Sequence, residues 1–188
     1  MASYQELFAI GEGFDAFVAR GLPAEIAAVR AVQQRLEEPG LISAATRERL
    51  AAVQGRYHLL VAGEMWCPDC QLNITALDWL CRQQPRIDLA VISKGRAEDE
   101  LQQRLGLERV AIPLVVVLDA GFEVVGRFIE RPQVVVAGWN GVKPAYRAGD
   151  YLESTVLDLV AVFEEWGEAG VSGGGLSGEY GARSGGGV

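Results

Sequence analysis

Two cysteines separated by two residues form the most reactive group of side chains in the sequence. The segment EMWCPDCQL contains Cys67 and Cys70, with Pro68 and Asp69 between them. Such a pair can exchange electrons through a reversible disulfide, supply two ligands to a metal, or lie in a core as two small apolar side chains. The neighbouring sequence has to distinguish these three roles.

The segments on either side of the pair indicate a strand followed by a helix. YHLLVAG (57–63) is short and apolar, and CQLNITALDWLCRQ (70–83) has a helical pattern. Cys67 would then lie at a helix N-terminus, where free N–H groups and the macrodipole lower a thiol pKa below its usual value of about 8.5. Pro68 suits the first helical turn, which does not need its N–H. We therefore predict that Cys67 is the nucleophile and that Cys70 resolves the mixed disulfide.

A metal site would need further ligands, and the sequence offers few. Structural zinc sites usually take four protein ligands, and Cys81 and His58 are the remaining thiol and imidazole. Cys81 lies 11 residues beyond Cys70, about 16 Å along a continuous helix, which is too far for a disulfide. We expect Cys81 to be a small core side chain and His58 to lie at the surface or at a strand end. No metal and no bound cofactor are predicted.

The remaining pattern predicts an α/β domain with a mixed sheet. Residues 57–166 alternate as strand, helix, strand, helix, strand, strand and helix. LVVVLD and FEVVGRFI, joined by a turn at 119–121, predict an antiparallel hairpin. A βαβ unit followed by a hairpin and a covering helix indicates a sheet with helices on both faces. Residues 139–151, rich in turn-forming residues, are predicted to be a long connection.

Two flanking regions differ from this pattern. Residues 1–55 are predicted to be a helical extension packed on the core, with one amphipathic segment over 4–21 and another opened by Pro23. Residues 169–188 are rich in glycine without apolar periodicity, which predicts a flexible tail. The central domain is therefore predicted to span 56–168.

Motif and element order together resemble the thioredoxin superfamily. WCPDC (66–70) follows an apolar strand, and Ile112-Pro113 begins a later strand, as in bacterial thioredoxin-like proteins with a WCxDC motif. The resemblance covers about 57–166 and implies a thioredoxin-like mixed sheet flanked by helices, preceded here by the helical extension. It also implies that the Ile112–Pro113 bond is cis and lies beside the cysteines, and that the Ile112 backbone pairs with an extended substrate. Trp66 would shape the surface around the motif.

The chain departs from typical thioredoxins in three places. The central dipeptide of the motif is Pro-Asp rather than Gly-Pro, Val61 stands where thioredoxin keeps a buried aspartate, and Leu114 follows the proline where threonine is usual. A carboxylate at Asp69 would oppose thiolate formation on Cys67. We therefore expect a reducing or near-neutral couple, tuned by Pro68 and Asp69, rather than a strong oxidant.

Composition and charge narrow the setting. A formal net charge of -8 disfavours nucleic acid as a partner. The N-terminus lacks a basic region followed by an apolar run, and no apolar stretch reaches the roughly 18 residues of a membrane span, so no membrane partner is expected. These features predict a cytoplasmic protein, in a compartment where a close cysteine pair is more often catalytic or metal-binding than structural.

Taken together, the sequence predicts a cytoplasmic thiol–disulfide oxidoreductase that reduces protein or small-molecule disulfides through Cys67 and Cys70. Its partners would be a disulfide-containing protein or a small thiol substrate, together with an unidentified electron donor. The alternative is a redox-sensing or partner-binding module with the same fold and no turnover. The long helical extension and Val61 both favour that alternative.

Overall fold

The computed structural model describes residues 2–172, and within that range it contains four strands and eight helices. The strands are β1 (Tyr57–Ala62), β2 (Ile87–Ile92), β3 (Leu114–Asp119) and β4 (Val124–Ile129). The helices are α1 (Tyr4–Ala9), α2 (Phe14–Ala19), α3 (Pro23–Leu36), α4 (Ala44–Ala51), α5 (Pro68–Gln83), α6 (Lys94–Leu105), α7 (Gln133–Arg147) and α8 (Leu152–Ser172). Helix α8 extends into the segment 169–188 that was predicted to be a flexible tail. The rest of that segment, residues 173–188, lies outside the described residues.

The strands form one mixed sheet in the order β2-β1-β3-β4. Strands β1 and β2 are parallel and are joined through α5, with Tyr57 opposite Ile87, whereas β3 runs antiparallel to both β1 and β4. Every residue of β1 is buried, so both faces of the sheet are covered at its centre. The α/β, thioredoxin-like architecture predicted from the sequence is therefore confirmed, including the hairpin of β3 and β4.

The N-terminal region forms two short helices where the sequence pattern suggested one amphipathic segment over 4–21. Gly11 separates them, and a Cβ there would lie 2.7 Å from the Cβ of Ala90, so the chain approaches β2 too closely for a side chain. Glu12 and Val91 exchange both backbone hydrogen bonds at 2.8 Å. Pairing with the sheet therefore interrupts the helix and fixes the extension on the edge of β2.

The prediction of a long connection over 139–151 is wrong. Most of that segment belongs to α7, which continues to Arg147 with Pro144 inside it. Glycine and proline made the segment resemble a loop, but Val135 and Tyr146 are buried against the rest of the domain. These tertiary contacts outweigh the weak helix propensity of the segment.

His58 lies at a strand end, as one of the two expected positions has it, but it is not at the surface. Its side chain is buried, and Nδ1 lies 2.6 Å from Oδ1 of Asp88. The imidazole stacks on Phe122, with ring centroids 4.4 Å apart, and meets the edge of Phe8 at 5.1 Å. Helix α1 and the β3–β4 turn cover this end of β1, which the sequence around His58 does not indicate.

Replacing Gly126 with alanine should destabilise the fold. Gly126 lies in β4, and a Cβ there would come within 2.5 Å of Cγ1 and 3.2 Å of Cγ2 of Val162 on α8. A β-branched side chain cannot easily move aside, so we expect a loss of about 1–3 kcal/mol in the free energy of unfolding. Urea denaturation followed by circular dichroism measures this loss.

Gly95→Ala is the matched control, because nothing lies within 4 Å of a Cβ at that exposed position of α6. It should leave the stability unchanged or raise it by up to about 1 kcal/mol. Equal stability of both variants and the parent would show that β4 and α8 do not approach as closely as described.

Candidate active site

Cys67 occupies the corner between β1 and α5, and it is the N-cap residue of that helix. Its backbone is extended, with φ -86° and ψ 117°, and its N–H donates to the Glu64 carbonyl at 3.2 Å. The Gln71 N–H donates to the Cys67 carbonyl at 3.0 Å, which is the first hydrogen bond of the helix. Pro68 fills the first helical position, where no N–H is required. The thiol therefore lies at the positive end of the α5 dipole.

Both motif cysteines are free thiols, but they differ in exposure and in acidity. Cys67 is 6% exposed, whereas Cys70 is fully buried one turn further along α5. A hydrogen bond from the Cys70 thiol and the backbone N–H groups of Cys70 and Asp69 together lower the pKa of Cys67 to about 7, against the opposing effect of burial. Burial, followed by the hydrogen bond to Cys67, raises the pKa of Cys70. At neutral pH a substantial fraction of Cys67 is therefore thiolate, whereas Cys70 stays protonated.

Ile112 and Pro113 lie beside the reactive sulfur. The bond between them is cis, as the family resemblance implies, and Sγ of Cys67 is 3.7 Å from the Ile112 carbonyl oxygen. Pro113 is followed directly by β3, so a central strand fixes this approach. Trp66, just before Cys67, is 63% exposed. The mouth of the site therefore combines a large apolar surface with backbone groups next to the sulfur.

Asp69, the acid of the motif, is buried in a cluster of positive and hydroxyl groups. Arg131 donates to both carboxylate oxygens, from Nη2 to Oδ2 at 2.8 Å and from Nε to Oδ1 at 3.3 Å. Tyr146 donates its hydroxyl to Oδ1 at 2.8 Å, and Nη1 of Arg147 lies 3.1 Å from the same oxygen. Two arginines and one tyrosine from the region of α7 therefore satisfy the carboxylate.

A chain of buried hydrogen bonds continues from Asp69 to helix α8. Nδ2 of Asn73 donates to the Tyr146 hydroxyl at 2.8 Å and to the Glu130 carbonyl at 2.8 Å. Oγ1 of Thr155 donates to Oδ1 of Asn73 at 2.7 Å. Because Asn73, Tyr146 and Thr155 are all buried, the first turns of α5 are connected rigidly to α7 and α8.

An aromatic ring supports the positive side of this cluster. The guanidinium carbon of Arg131 lies 4.0 Å from the ring centroid of Trp139, and that of Arg147 lies 5.9 Å from it. The Lys143 ammonium is 5.5 Å from the same ring. Cation–π attraction therefore orients Arg131 while it binds the carboxylate.

The structure refines the expected effect of Asp69 on Cys67. The negative charge of Asp69 does raise the pKa of Cys67, but hydrogen bonds from the Cys70 thiol and from backbone N–H groups outweigh it. Nothing in the sequence around residue 69 indicated Arg131, Tyr146 or Arg147, which lie more than sixty residues away and follow no recognisable motif.

Two further side chains, Glu64 and Cys81, have structural contacts. Oε1 of Glu64 accepts a hydrogen bond from the Lys94 backbone N–H at 2.8 Å, at the start of α6. Cys81 is partly buried against the core on the same helix as Cys70, and burial raises its pKa. Among the side chains described within residues 2–172, no group of three or more from His, Cys, Asp and Glu is arranged to hold a metal ion. In the same range, no helix has the length and apolar character that would let it cross a membrane.

Comparisons with known proteins agree with this architecture. The thioredoxin family model matches residues 18–142, a range that includes the cysteine pair and the cis-proline. A protein of unknown function from Pseudomonas aeruginosa, solved by crystallography, is 58% identical with a TM-score of 0.86, over 88% of this chain and 99% of that chain. An HIV epitope scaffold is 56% identical with a TM-score of 0.84, over 87% of this chain and 99% of its own. A comparison with curated proteins finds no match.

Alkylation of Cys67 should follow a titration centred near pH 7. The rate constant for reaction with iodoacetamide, measured against pH with mass spectrometry to locate the adduct, should reach half its maximum at about pH 7. Cys70→Ala should shift that midpoint upward, because it removes the hydrogen bond that contributes most to the lowered pKa.

Cys81→Ala is the control for this titration and should leave the midpoint unchanged. A midpoint near 8.5 in the parent protein, the ordinary value for a free cysteine, would contradict the described environment of Cys67.

Proposed function

Because the chain belongs to the thioredoxin superfamily, we propose that it is a thiol–disulfide oxidoreductase that reduces protein or small-molecule disulfides through Cys67 and Cys70. One observation carries the proposal: a Cys67 thiol with a pKa of about 7 lies at a helix N-terminus, one turn before a fully buried second thiol. A lowered pKa raises the thiolate fraction at neutral pH, and the thiolate is the form that attacks disulfides.

In the first step, the Cys67 thiolate attacks one sulfur of the substrate disulfide. A bond forms between Cys67 and that sulfur, the substrate S–S bond breaks, and the other sulfur leaves as a thiolate that takes a proton from water. A nucleophile with a pKa close to the ambient pH is the most effective attacking thiol, because acidity and nucleophilicity oppose each other. Cys67 meets that condition.

In the second step, Cys70 loses its proton and attacks the Cys67 sulfur. The Cys67–Cys70 bond forms, the mixed disulfide breaks, and the second substrate sulfur leaves as a thiolate that takes up the proton lost by Cys70. Interaction with Cys67 contributes to the raised pKa of Cys70. That contribution falls once Cys67 is bound in the mixed disulfide and carries no charge, so Cys70 becomes easier to ionise at the stage when it has to react.

The surface beside Cys67 is suited to an extended substrate segment. We assign substrate positioning to the backbone of Ile112, next to cis-Pro113, because its carbonyl lies 3.7 Å from the reactive sulfur. The exposed Trp66 ring, directly before Cys67, offers apolar contact beside the motif. The reaction needs no bound cofactor, and an external reductant has to return the pair to its dithiol form. A reducing cytoplasm is the compartment that supplies one.

Turnover of a disulfide tests the proposal. The reduced protein should catalyse reduction of insulin, or of a small disulfide such as cystine, with dithiothreitol as recycling reductant, and Cys67→Ser should lower the rate to that of the reductant alone. Cys81→Ser should keep the parental rate. Cys70→Ser should accumulate a mixed disulfide on Cys67, visible as a mass increase that a reductant removes.

A failure of turnover would support the alternative function. Stoichiometric oxidation of the cysteine pair, without turnover by any reductant offered, would overturn the enzyme proposal. It would favour a redox-sensing or partner-binding module with the same fold.

A further inference from the structure

We propose that Arg131 and Tyr146, with Arg147 beside them, are positioning residues for the cysteine pair and act on it through the Asp69 carboxylate. This inference deepens the proposed function and rests on it for its biological purpose. The inference concerns only the ionisation of the Cys67 thiol, so it can be tested without a disulfide substrate.

The contacts of the Asp69 side chain hold the motif at its central residue. Asp69 lies between the two cysteines, in the first turn of α5, and its carboxylate is almost fully buried. Arg131, which follows β4, holds both oxygens with a two-pronged contact, while Tyr146 and Arg147 approach Oδ1 from the last turn of α7. A side chain held by three donors from two separate segments leaves its own backbone little freedom.

Backbone groups of that same turn solvate the reactive sulfur. The N–H groups of Asp69 and Cys70 both act as hydrogen-bond donors to Cys67 and favour its ionised form. Donors stabilise a charge most when they already point at it before it forms. Holding the Asp69 side chain therefore keeps two of the donors to Cys67 in place.

The arginines also balance the negative charges around the sulfur. Asp69 and a Cys67 thiolate would be two anions within the first turn of α5 in a buried site, an arrangement that disfavours ionisation. The partly exposed Glu130 carboxylate lies 3.7 Å from Nη1 of Arg131 and pairs with the same guanidinium. The guanidiniums of Arg131 and Arg147 offset the two carboxylates, so the thiolate does not form beside uncompensated negative charge.

Several contacts hold the positioning groups themselves. Arg131 stacks on Trp139 at 4.0 Å, and the Tyr146 ring meets the same indole edge-on at 6.0 Å. Burial, and then the charge of Asp69, raises the pKa of Tyr146, so its hydroxyl stays protonated and donates to the carboxylate. Asn73 donates to the Tyr146 oxygen and fixes its direction.

Three variants separate positioning from charge alone. Arg131→Lys keeps the positive charge but loses the two-pronged contact with Asp69. Tyr146→Phe removes one hydrogen-bond donor to Asp69 and changes no charge. Arg131→Gln removes both the two-pronged contact and the charge. The readout is the pH midpoint of Cys67 alkylation by iodoacetamide in the full-length reduced protein. All three variants should raise the midpoint, Arg131→Gln by about one pKa unit or more and the other two by less.

Arg127→Gln is the matched control, since Arg127 is an exposed arginine of β4 only four residues from Arg131. Its midpoint should equal that of the parent. A urea denaturation curve for each variant identifies any that does not fold, and Tyr146→Phe, which adds no volume, keeps the test available if an arginine variant fails.

Two outcomes would overturn the inference. Parental midpoints in all folded variants would show that the cluster does not act on Cys67. A raised midpoint in Arg131→Gln, with parental midpoints in Arg131→Lys and Tyr146→Phe, would show a charge effect without positioning. If the variants shift the midpoint but the parent protein turns over no disulfide, the proposed function is wrong and this inference stands. If the midpoints do not shift but turnover is normal, this inference is wrong and the proposed function stands.

Discussion

A carboxylate buried between two cysteines has to be compensated, and the rest of the site is arranged around that requirement. An unpaired buried charge is strongly unfavourable, and one placed beside a prospective thiolate also suppresses the ionisation on which disulfide chemistry depends. Arg131, Arg147 and Tyr146 satisfy the Asp69 carboxylate with hydrogen bonds. The compensation comes from α7 and the connection before it, so the position of that helix and the chemistry of the motif are linked.

The same arrangement explains how the two thiols acquire different properties. Cys67 lies at the N-terminus of α5, next to backbone N–H groups, whereas Cys70 lies one turn further along the helix and is fully buried. Burial raises the pKa of Cys70, while hydrogen bonds lower that of Cys67 despite its own burial. A helix N-terminus that follows a buried central strand therefore produces two chemically distinct thiols from a single short motif.

The helical extension forms part of the folded domain. Glu12 pairs with Val91 at the edge of β2, and Phe17 and Val29 are buried in the same core as the strands. The extension also reaches the neighbourhood of the motif, because a Cβ at Gly21 would lie 2.6 Å from the terminal methyl of Met65. The N-terminal helices therefore help to form the surface next to Trp66.

Local sequence determined the strands, the start of α5 at Pro68 and the place of Cys67 at a helix N-terminus. Periodicity, proline and glycine specify such features over a few residues, without reference to distant parts of the chain. Tertiary structure alone decided that α7 is a helix, that His58 is buried and that Asp69 meets Arg131. Those outcomes depend on which side chains the fold brings together across thirty or more residues, and short-range patterns carry no information about such contacts.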